Sequence, residues 1–223
     1  MGSEYFPPVE EADEWGLLAV GGDLSVETLL LAYRSGIFPW PVFESGPLAW
    51  FAPPERALLF IDEFRIGRSL TKRIRKANYE IRVNTSFVEV LEGCADVSNR
   101  QGQHRTWITA EMIQAYRELH YAGFAHSIEC WEQGELTGGL YGVAIGRTFA
   151  GESMFYRRPE ASKLCLCFLV DYLRARGVSW IDCQQLTPLF ERFGARLIDR
   201  RDYMRLLQQA LRSEGTLFGE YPA

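Results

Sequence analysis

The spacing of apolar residues changes character part-way along the chain. Up to about residue 62 they come in short aromatic clusters broken by proline, as in Ile37-Phe38-Pro39-Trp40-Pro41 and Trp50-Phe51-Ala52-Pro53-Pro54. Proline fixes φ, removes a donor and pushes its predecessor toward extended backbone. Only one segment there has helical spacing. Leu29, Leu30 and Tyr33 share a face, Asp23 and Ser25 stand where an N-cap belongs, and Gly36 follows Arg34 as a stop. The pattern predicts a small N-terminal lobe of little regular structure over residues 1–62.

From residue 63 onward, periodic segments follow one another. A basic helix is expected over Arg68–Lys76 and a strand over Tyr79–Asn84. Ser86-Phe87-Val88-Glu89 has the form of a capping box opening a helix to about Val97, and a polar loop follows over Ser98–Arg105. Thr109 begins a helix that Gly123 ends. Three strands joined by short glycine turns come next, over Ala125–Trp131, Leu136–Ile145 and Thr148–Ser153. A long helix over Glu160–Arg176, a strand over Val178–Gln184, a short helix, a strand near Arg196–Ile198 and a last helix over Asp202–Arg212 complete the chain. A strand meander followed by alternating helices and strands predicts an α/β (α+β) domain with a mixed sheet over residues 63–223.

Composition adds exclusions. The chain has 223 residues, 47% of them hydrophobic, enough for a substantial core. No apolar run reaches the roughly 18 residues of a membrane span. The acidic start, with Glu4, Glu10, Glu11, Asp13 and Glu14, is the opposite of a signal peptide, so a cytosolic protein is expected. Five cysteines, odd in number and without a CxxC pair, read as reduced, buried thiols. His104, His120 and His126 stand at no metal-ligand spacing, and no metal site is expected.

Charge matters through its distribution. The net charge is −5, with seven acids and no Lys or Arg in residues 1–33, yet residues 65–76 hold six cations and no acid. Such a patch can bind phosphate on an acidic protein, because screening over roughly 8–10 Å hides distant charges. On a helix Arg68, Lys72, Arg75 and Lys76 share one side, while Leu70 and Ile74 turn to the core. A solubilising face usually mixes signs, so this one reads as a contact to RNA phosphates, which position without reading sequence.

Strand alternation places Trp180, Asp182 and Gln184 on one face and Ile181 and Cys183 on the other. An acid and an amide at the end of an apolar strand either cap the next helix or orient a polar reacting group. Glu152 in Gly151-Glu152-Ser153-Met154-Phe155 by itself reads as a turn acid. Nucleophile elbow, phosphate loop and GxGxxG fingerprint are all missing, which leaves serine hydrolase, nucleotide hydrolase and dehydrogenase without support.

Eight segments occur in order: Gly21-Gly22-Asp23-Leu24, Tyr33-Arg34-Ser35-Gly36-Ile37-Phe38-Pro39-Trp40, Thr106-Trp107-Ile108-Thr109, His126-Ser127-Ile128-Glu129, Gly139-Leu140-Tyr141-Gly142, Gly151-Glu152-Ser153-Met154-Phe155, Ile181-Asp182-Cys183-Gln184 and Arg200-Arg201-Asp202-Tyr203. Their succession, which spans nearly the whole chain, resembles the leucyl/phenylalanyl-tRNA–protein transferases. The resemblance implies a small N-terminal lobe packed on a domain of the N-acetyltransferase (GNAT) fold. It implies a cytoplasmic monomer that moves leucine or phenylalanine, and methionine more poorly, from aminoacyl-tRNA to proteins beginning with arginine or lysine. Those proteins are thereby marked for degradation by the N-end rule. The donor ester is already activated, so no cofactor is implied.

By motif, Asp182 and Gln184 resemble the family's catalytic pair, and Glu152 a substrate-orienting acid, with Ser153 beside it. Trp107 and Trp50 resemble contacts to the terminal adenosine. Leu140 and Phe149 resemble walls of the amino-acid pocket, and Tyr116 lines the same site. Two positions depart from the pattern. The family often has a histidine soon after IDCQ, where this chain reads Thr187-Pro188-Leu189-Phe190, and a common methionine is replaced by Leu140. An acetyl-CoA enzyme of the same fold would need a glycine-rich loop after the meander, but Phe155–Glu160 has no glycine. A tRNA-binding module without activity would explain the basic helix and leave Asp182 and Gln184 idle.

Overall fold

The computed structural model describes residues 6–41, 46–76, 78–96, 106–213 and 215–219. The expected polar loop 98–105 with His104, the end of the preceding helix at Val97, and Glu4 lie outside the described residues. In chain order the elements are β1 (Leu17–Val20), α1 (Val26–Arg34), β2 (Phe38–Pro41), β3 (Leu48–Phe51), β4 (Glu55–Phe60), α2 (Arg68–Lys76), β5 (Glu80–Val83), α3 (Phe87–Ala95), α4 (Ala110–Tyr121), β6 (Ala125–Glu132), β7 (Glu135–Ile145), β8 (Thr148–Tyr156), α5 (Ala161–Arg174), β9 (Trp180–Gln184), α6 (Pro188–Phe193), β10 (Arg196–Asp199) and α7 (Arg200–Leu211). Among the described residues no helix is long and apolar enough to cross a membrane.

The N-terminal segment is more regular than its prolines suggest. β1, β3 and β2 form an antiparallel sheet in that order. Ser25 caps α1, its hydroxyl accepting from Thr28 N–H at 3.3 Å, and Gly36 leaves the helix with φ +75°. β4 belongs elsewhere. It joins the seven-stranded sheet β10-β4-β9-β8-β7-β6-β5, between β10 and β9, although its residues fall before position 62. Its run Arg56-Ala57-Leu58-Leu59 is buried throughout. A strand covered on both faces shows no alternation, so it did not stand out from the surrounding apolar clusters.

The large sheet is mixed, antiparallel except where β8 meets β9. α5 packs across β6, β7 and β8, and its Leu164, Leu166, Leu169, Val170 and Leu173 are buried there with Leu70 of α2 and Phe193 of α6. Each fully buried side chain of that size contributes roughly 1.5–3 kcal/mol relative to exposure. α1, α3 and α4 share the core cluster of the opposite face, and Tyr203 and Leu207 of α7 pack there on Leu58 and Trp180. Thr109 caps α4, accepting from Met112 N–H at 3.2 Å.

The capping box at α3 does not form. Ser86 is the N-cap residue but its hydroxyl makes no capping bond. Its backbone N–H donates 2.9 Å to the Glu129 carboxylate instead. Buried Glu129 also accepts from the hydroxyls of Ser127, at 2.8 Å, and Thr85. A fully buried acid needs several donors, so Glu129 takes the N–H that Glu89 would have received and anchors α3 to β6.

Candidate active site

The site lies where the parallel pairing of the sheet ends. β8 and β9 share one bridge, Ala150 opposite Asp182. Glu152 and Gln184 each stand two residues beyond it on neighbouring strands. There a side-chain bond replaces the missing ladder, the Gln184 Nε2 amide donating 2.8 Å to Glu152 Oε1. Two bulges aim these residues. The β7–β8 register shifts between Tyr141 and Gly142, passing over Glu152, and the β4–β9 register shifts between Ala57 and Leu58, passing over Cys183. A bulge leaves one residue unpaired and redirects its neighbours. Gln184 has φ +59°, and Gln185 N–H donates 2.6 Å to Cys183 O across it. A non-glycine residue held at positive φ is a strained feature of the kind that recurs at functional sites.

The bulge corrects the alternation expected along β9. Asp182 and Gln184 do not project side by side. Asp182 turns to the face covered by α7 and is 2% exposed. Arg56 donates to it through Nε at 2.9 Å and Nη2 at 2.8 Å, and the Tyr203 hydroxyl at 2.9 Å. Its link to Gln184 is through the backbone, Gln184 N–H donating 2.8 Å to Asp182 Oδ1. Asp182 therefore fixes where Gln184 sits, and lies outside the cavity. Arg56 is itself stacked between Phe38 and Tyr203, its guanidinium carbon 4.5 and 4.7 Å from their ring centroids.

Glu152 is held from behind. The Tyr116 hydroxyl donates 3.1 Å to Oε2 and is 2.5 Å from the Tyr33 hydroxyl. Burial pushes the Glu152 carboxyl up to about 7, against the Tyr33 and Tyr116 hydroxyls, which hold it down. Burial, and then the Glu152 charge, push both phenols well above the ordinary tyrosine range. The residue is half-buried, open where it lines the cavity.

That cavity has a volume of about 150 Å³. Leu140, Phe149, Leu166, Leu169 and Ile181 form its apolar part, with Glu152, Ser153 and Gln184 on its polar side. Gly142 shapes the Phe149 wall, since a Cβ there would come within 2.5 Å of the Phe149 ring. The two departures from the family pattern both fall on these walls. Thr187 and Phe190 line the cavity, and Leu140 pairs across β7–β8 with Met154, which lines it too.

The structure brings together Glu152, Gln184, Ser153, Leu140 and Phe149, with Tyr116 buried behind Glu152 rather than in the lining. Trp107 is one ring removed, stacked at 4.8 Å and 15° on Trp40, which does line the cavity. Trp50 is not at the site. It is 2% exposed in the small sheet, its Nε1 donating 2.9 Å to Gly21 O and its ring edge-packed on Phe6, so no face is free for an adenine. Arg68, Lys72, Arg75 and Lys76 are exposed on α2 with Leu70 buried beneath, as the helical spacing required. Sequence reasoning gave no role to Arg56, Tyr203, Tyr33 or Trp40. Tyr33, Trp40 and Tyr203 do lie within the segments that carry the resemblance, and Arg56 is a lone cation at the head of an apolar run.

A small apolar cavity ending on a hydrogen-bonded carboxyl and amide is the layout of an enzyme that grips an apolar group and orients a polar reacting one. Two family models, the leucyl/phenylalanyl-tRNA protein transferase and its N-terminal domain, match residues 58–208 and 22–54. The chain belongs to the leucyl/phenylalanyl-tRNA–protein transferase family, aminoacyltransferases that move leucine or phenylalanine from aminoacyl-tRNA to protein. It is 50% identical to the leucyl/phenylalanyl-tRNA–protein transferase of Chromobacterium violaceum, over 93% of this chain and 88% of that one. It is 52% identical to that of Thiobacillus denitrificans, over 93% and 90%, and 47% identical to that of Myxococcus xanthus, over 94% and 88%. Among solved structures, that of L-PGS from Bacillus licheniformis overlaps 84% of this chain and 71% of its own at 13% identity, with a TM-score of 0.44.

Proposed function

We propose that the chain transfers leucine or phenylalanine, and methionine less well, from aminoacyl-tRNA to the α-amine of proteins beginning with arginine or lysine, marking them for N-end rule degradation in the cytoplasm. The observation that carries this reading is the cavity, which joins an apolar hole of about 150 Å³ to the Glu152–Gln184 pair. An apolar cavity of about that volume accepts a benzene molecule, so the space suits a phenylalanyl ring or a leucyl group. The larger sheet reads as a GNAT-like domain, supported by the site's position at the parallel β8–β9 junction, and the segment before it as a smaller lobe.

The bond chemistry asks little of the protein. The acceptor nitrogen attacks the ester carbonyl carbon, the amide C–N bond forms, the C–O bond to the terminal ribose breaks, and the proton lost by the amine ends on the ribose oxygen. The α-amine, with an ordinary pKa of about 7.7–8.0, is already partly neutral near pH 7. Alignment of the two substrates supplies the larger part, roughly 7–11 kcal/mol in favourable cases. Gln184 spends its Nε2 donor on Glu152, which leaves its Oε1 to accept from the incoming amine. Glu152, its carboxyl pushed up to about 7, is suited to hold a proton in passage. Asp182 and Arg56 are positioning residues that act through the Gln184 backbone. Trp107, on Trp40, is the aromatic surface left for the terminal adenosine, and α2 holds the tRNA stem.

Radiolabelled phenylalanine, supplied as Phe-tRNA, is expected to appear on an Arg-starting protein and not on the same protein with an acetylated N-terminus. Leu- and Phe-tRNA should outcompete Val-tRNA and, more heavily, Ala-tRNA, since a lost methylene in an apolar pocket costs about 1–3 kcal/mol. Equal use of Ala- and Leu-tRNA rejects the assignment of the pocket.

A further inference from the structure

A second cavity, of about 420 Å³, adjoins the first and shares Trp40, Gln184 and Gln185 with it. Gln184 thus stands in the wall between two spaces, the first mixing aliphatic and aromatic side chains and the second built differently. The second is walled by the rings of Trp15, Phe38, Trp40 and Phe51 and carries one charged group, Glu55. Its rim is anomalous for a water-facing surface. Six large apolar side chains are exposed among the described residues, and two of them, Trp15 at 78% and Leu197 at 41%, belong to this cavity. A solvated aromatic beside a carboxylate is poor packing but a good receptor, because ring faces and a carboxylate both attract an organic cation. Glu55 is exposed and pairs with no cation among the described residues. The adjacent cations are occupied: Arg56 is committed to Asp182, and Arg200 donates 2.7 Å to Ala52 O.

We infer that this aromatic cavity receives the basic first side chain of the acceptor protein, with Glu55 meeting its guanidinium or ammonium and Trp15 lying against its aliphatic stem. The inference rests on the acceptor class proposed above and gives it a place. The amine to be acylated must reach Gln184 from a side the donor's leucyl or phenylalanyl group does not occupy, and this cavity is the adjoining space. From there the first side chain and the α-amine of one residue engage both walls of the same glutamine. A carboxylate at the far side favours arginine or lysine and disfavours an acidic first residue.

The test is steady-state transfer to peptides identical except at the first residue, arginine, lysine, norleucine or glutamate, with the full-length chain and charged tRNA. Glu55→Gln should raise KM for the arginine and lysine peptides about two- to fivefold, the size expected of an exposed ion pair, and leave the norleucine peptide where it was. Glu55→Lys should weaken the basic peptides further and improve the glutamate peptide. In neither variant should KM for aminoacyl-tRNA follow these changes. If Glu55→Lys does not fold, the norleucine comparison in Glu55→Gln decides alone. An unchanged arginine preference in folded Glu55 variants overturns the inference while leaving the transferase reading intact. A wild-type chain with no preference for basic first residues overturns the acceptor class itself.

Discussion

Asp182, which the resemblance implies as half of a catalytic pair, faces α7 rather than the cavity. Its buried carboxylate has Arg56 on one side and the Tyr203 hydroxyl on the other. Asp182→Asn therefore leaves a buried guanidinium without its counter-charge, a loss of about 3–5 kcal/mol when one partner of a buried pair is removed. The expected result is a urea midpoint well below wild type along with slow transfer. A variant as stable as wild type would mean the pair is not what holds Gln184. Glu152 carries the opposite kind of strain. Its carboxyl is raised from 4.5 to about 7, so the folded chain holds a proton that the unfolded chain has released. The stability associated with that proton is present below about pH 4.5 and lost as pH rises through about 7. Glu152→Gln should then gain stability relative to wild type between pH 5 and pH 8, read as a widening gap in denaturant midpoints. A constant gap across that range would place the carboxyl in the ordinary range.

Among the elements, α2 followed its sequence most closely. Its bounds, its buried Leu70 and its exposed cations all follow from the helical period, because an amphipathic surface helix is specified by its own residues. Replacing Lys72, Arg75 and Lys76 with alanine should leave the fold unchanged, since those side chains are exposed. It should weaken binding of aminoacyl-tRNA and flatten the salt dependence by about 0.7–0.9 in slope per lost phosphate contact. Transfer from a short aminoacyl-adenosine should persist. Unaltered tRNA binding at every salt concentration would make α2 a solvated face. At α3, by contrast, the local motif was overridden: the capping box was legible, but Glu129, 43 residues from Ser86, took the N–H first.

At the scale of the molecule, β4 ties the N-terminal segment to the rest. It pairs with both β9 and β10, so residues 63–223 alone would present two unpaired strand edges and lose Ala57, Leu58 and Leu59 from the core. That fragment is expected to aggregate and to lack a cooperative thermal transition by circular dichroism. A sharp transition like that of the full chain would show β4 to be dispensable.

Already legible in the sequence are the periodic elements from α2 to α7, the exposed cations of α2, the family, and Glu152 and Gln184 as candidates for the site. These follow from the period of apolar residues and from motifs short enough to be read in place. Only the tertiary structure decided that Asp182 and Gln184 part company, because a bulge is set by the register of neighbouring strands and alternation assumes there is none. It decided that Trp50 is a core residue and that Trp40 stands at the site, since one tryptophan in a proline-rich segment looks like another until the chain packs. It also decided the pairing of Arg56 with Asp182 across 126 residues of sequence. A buried charge finds its partner through space, and no local pattern of residues encodes that distance.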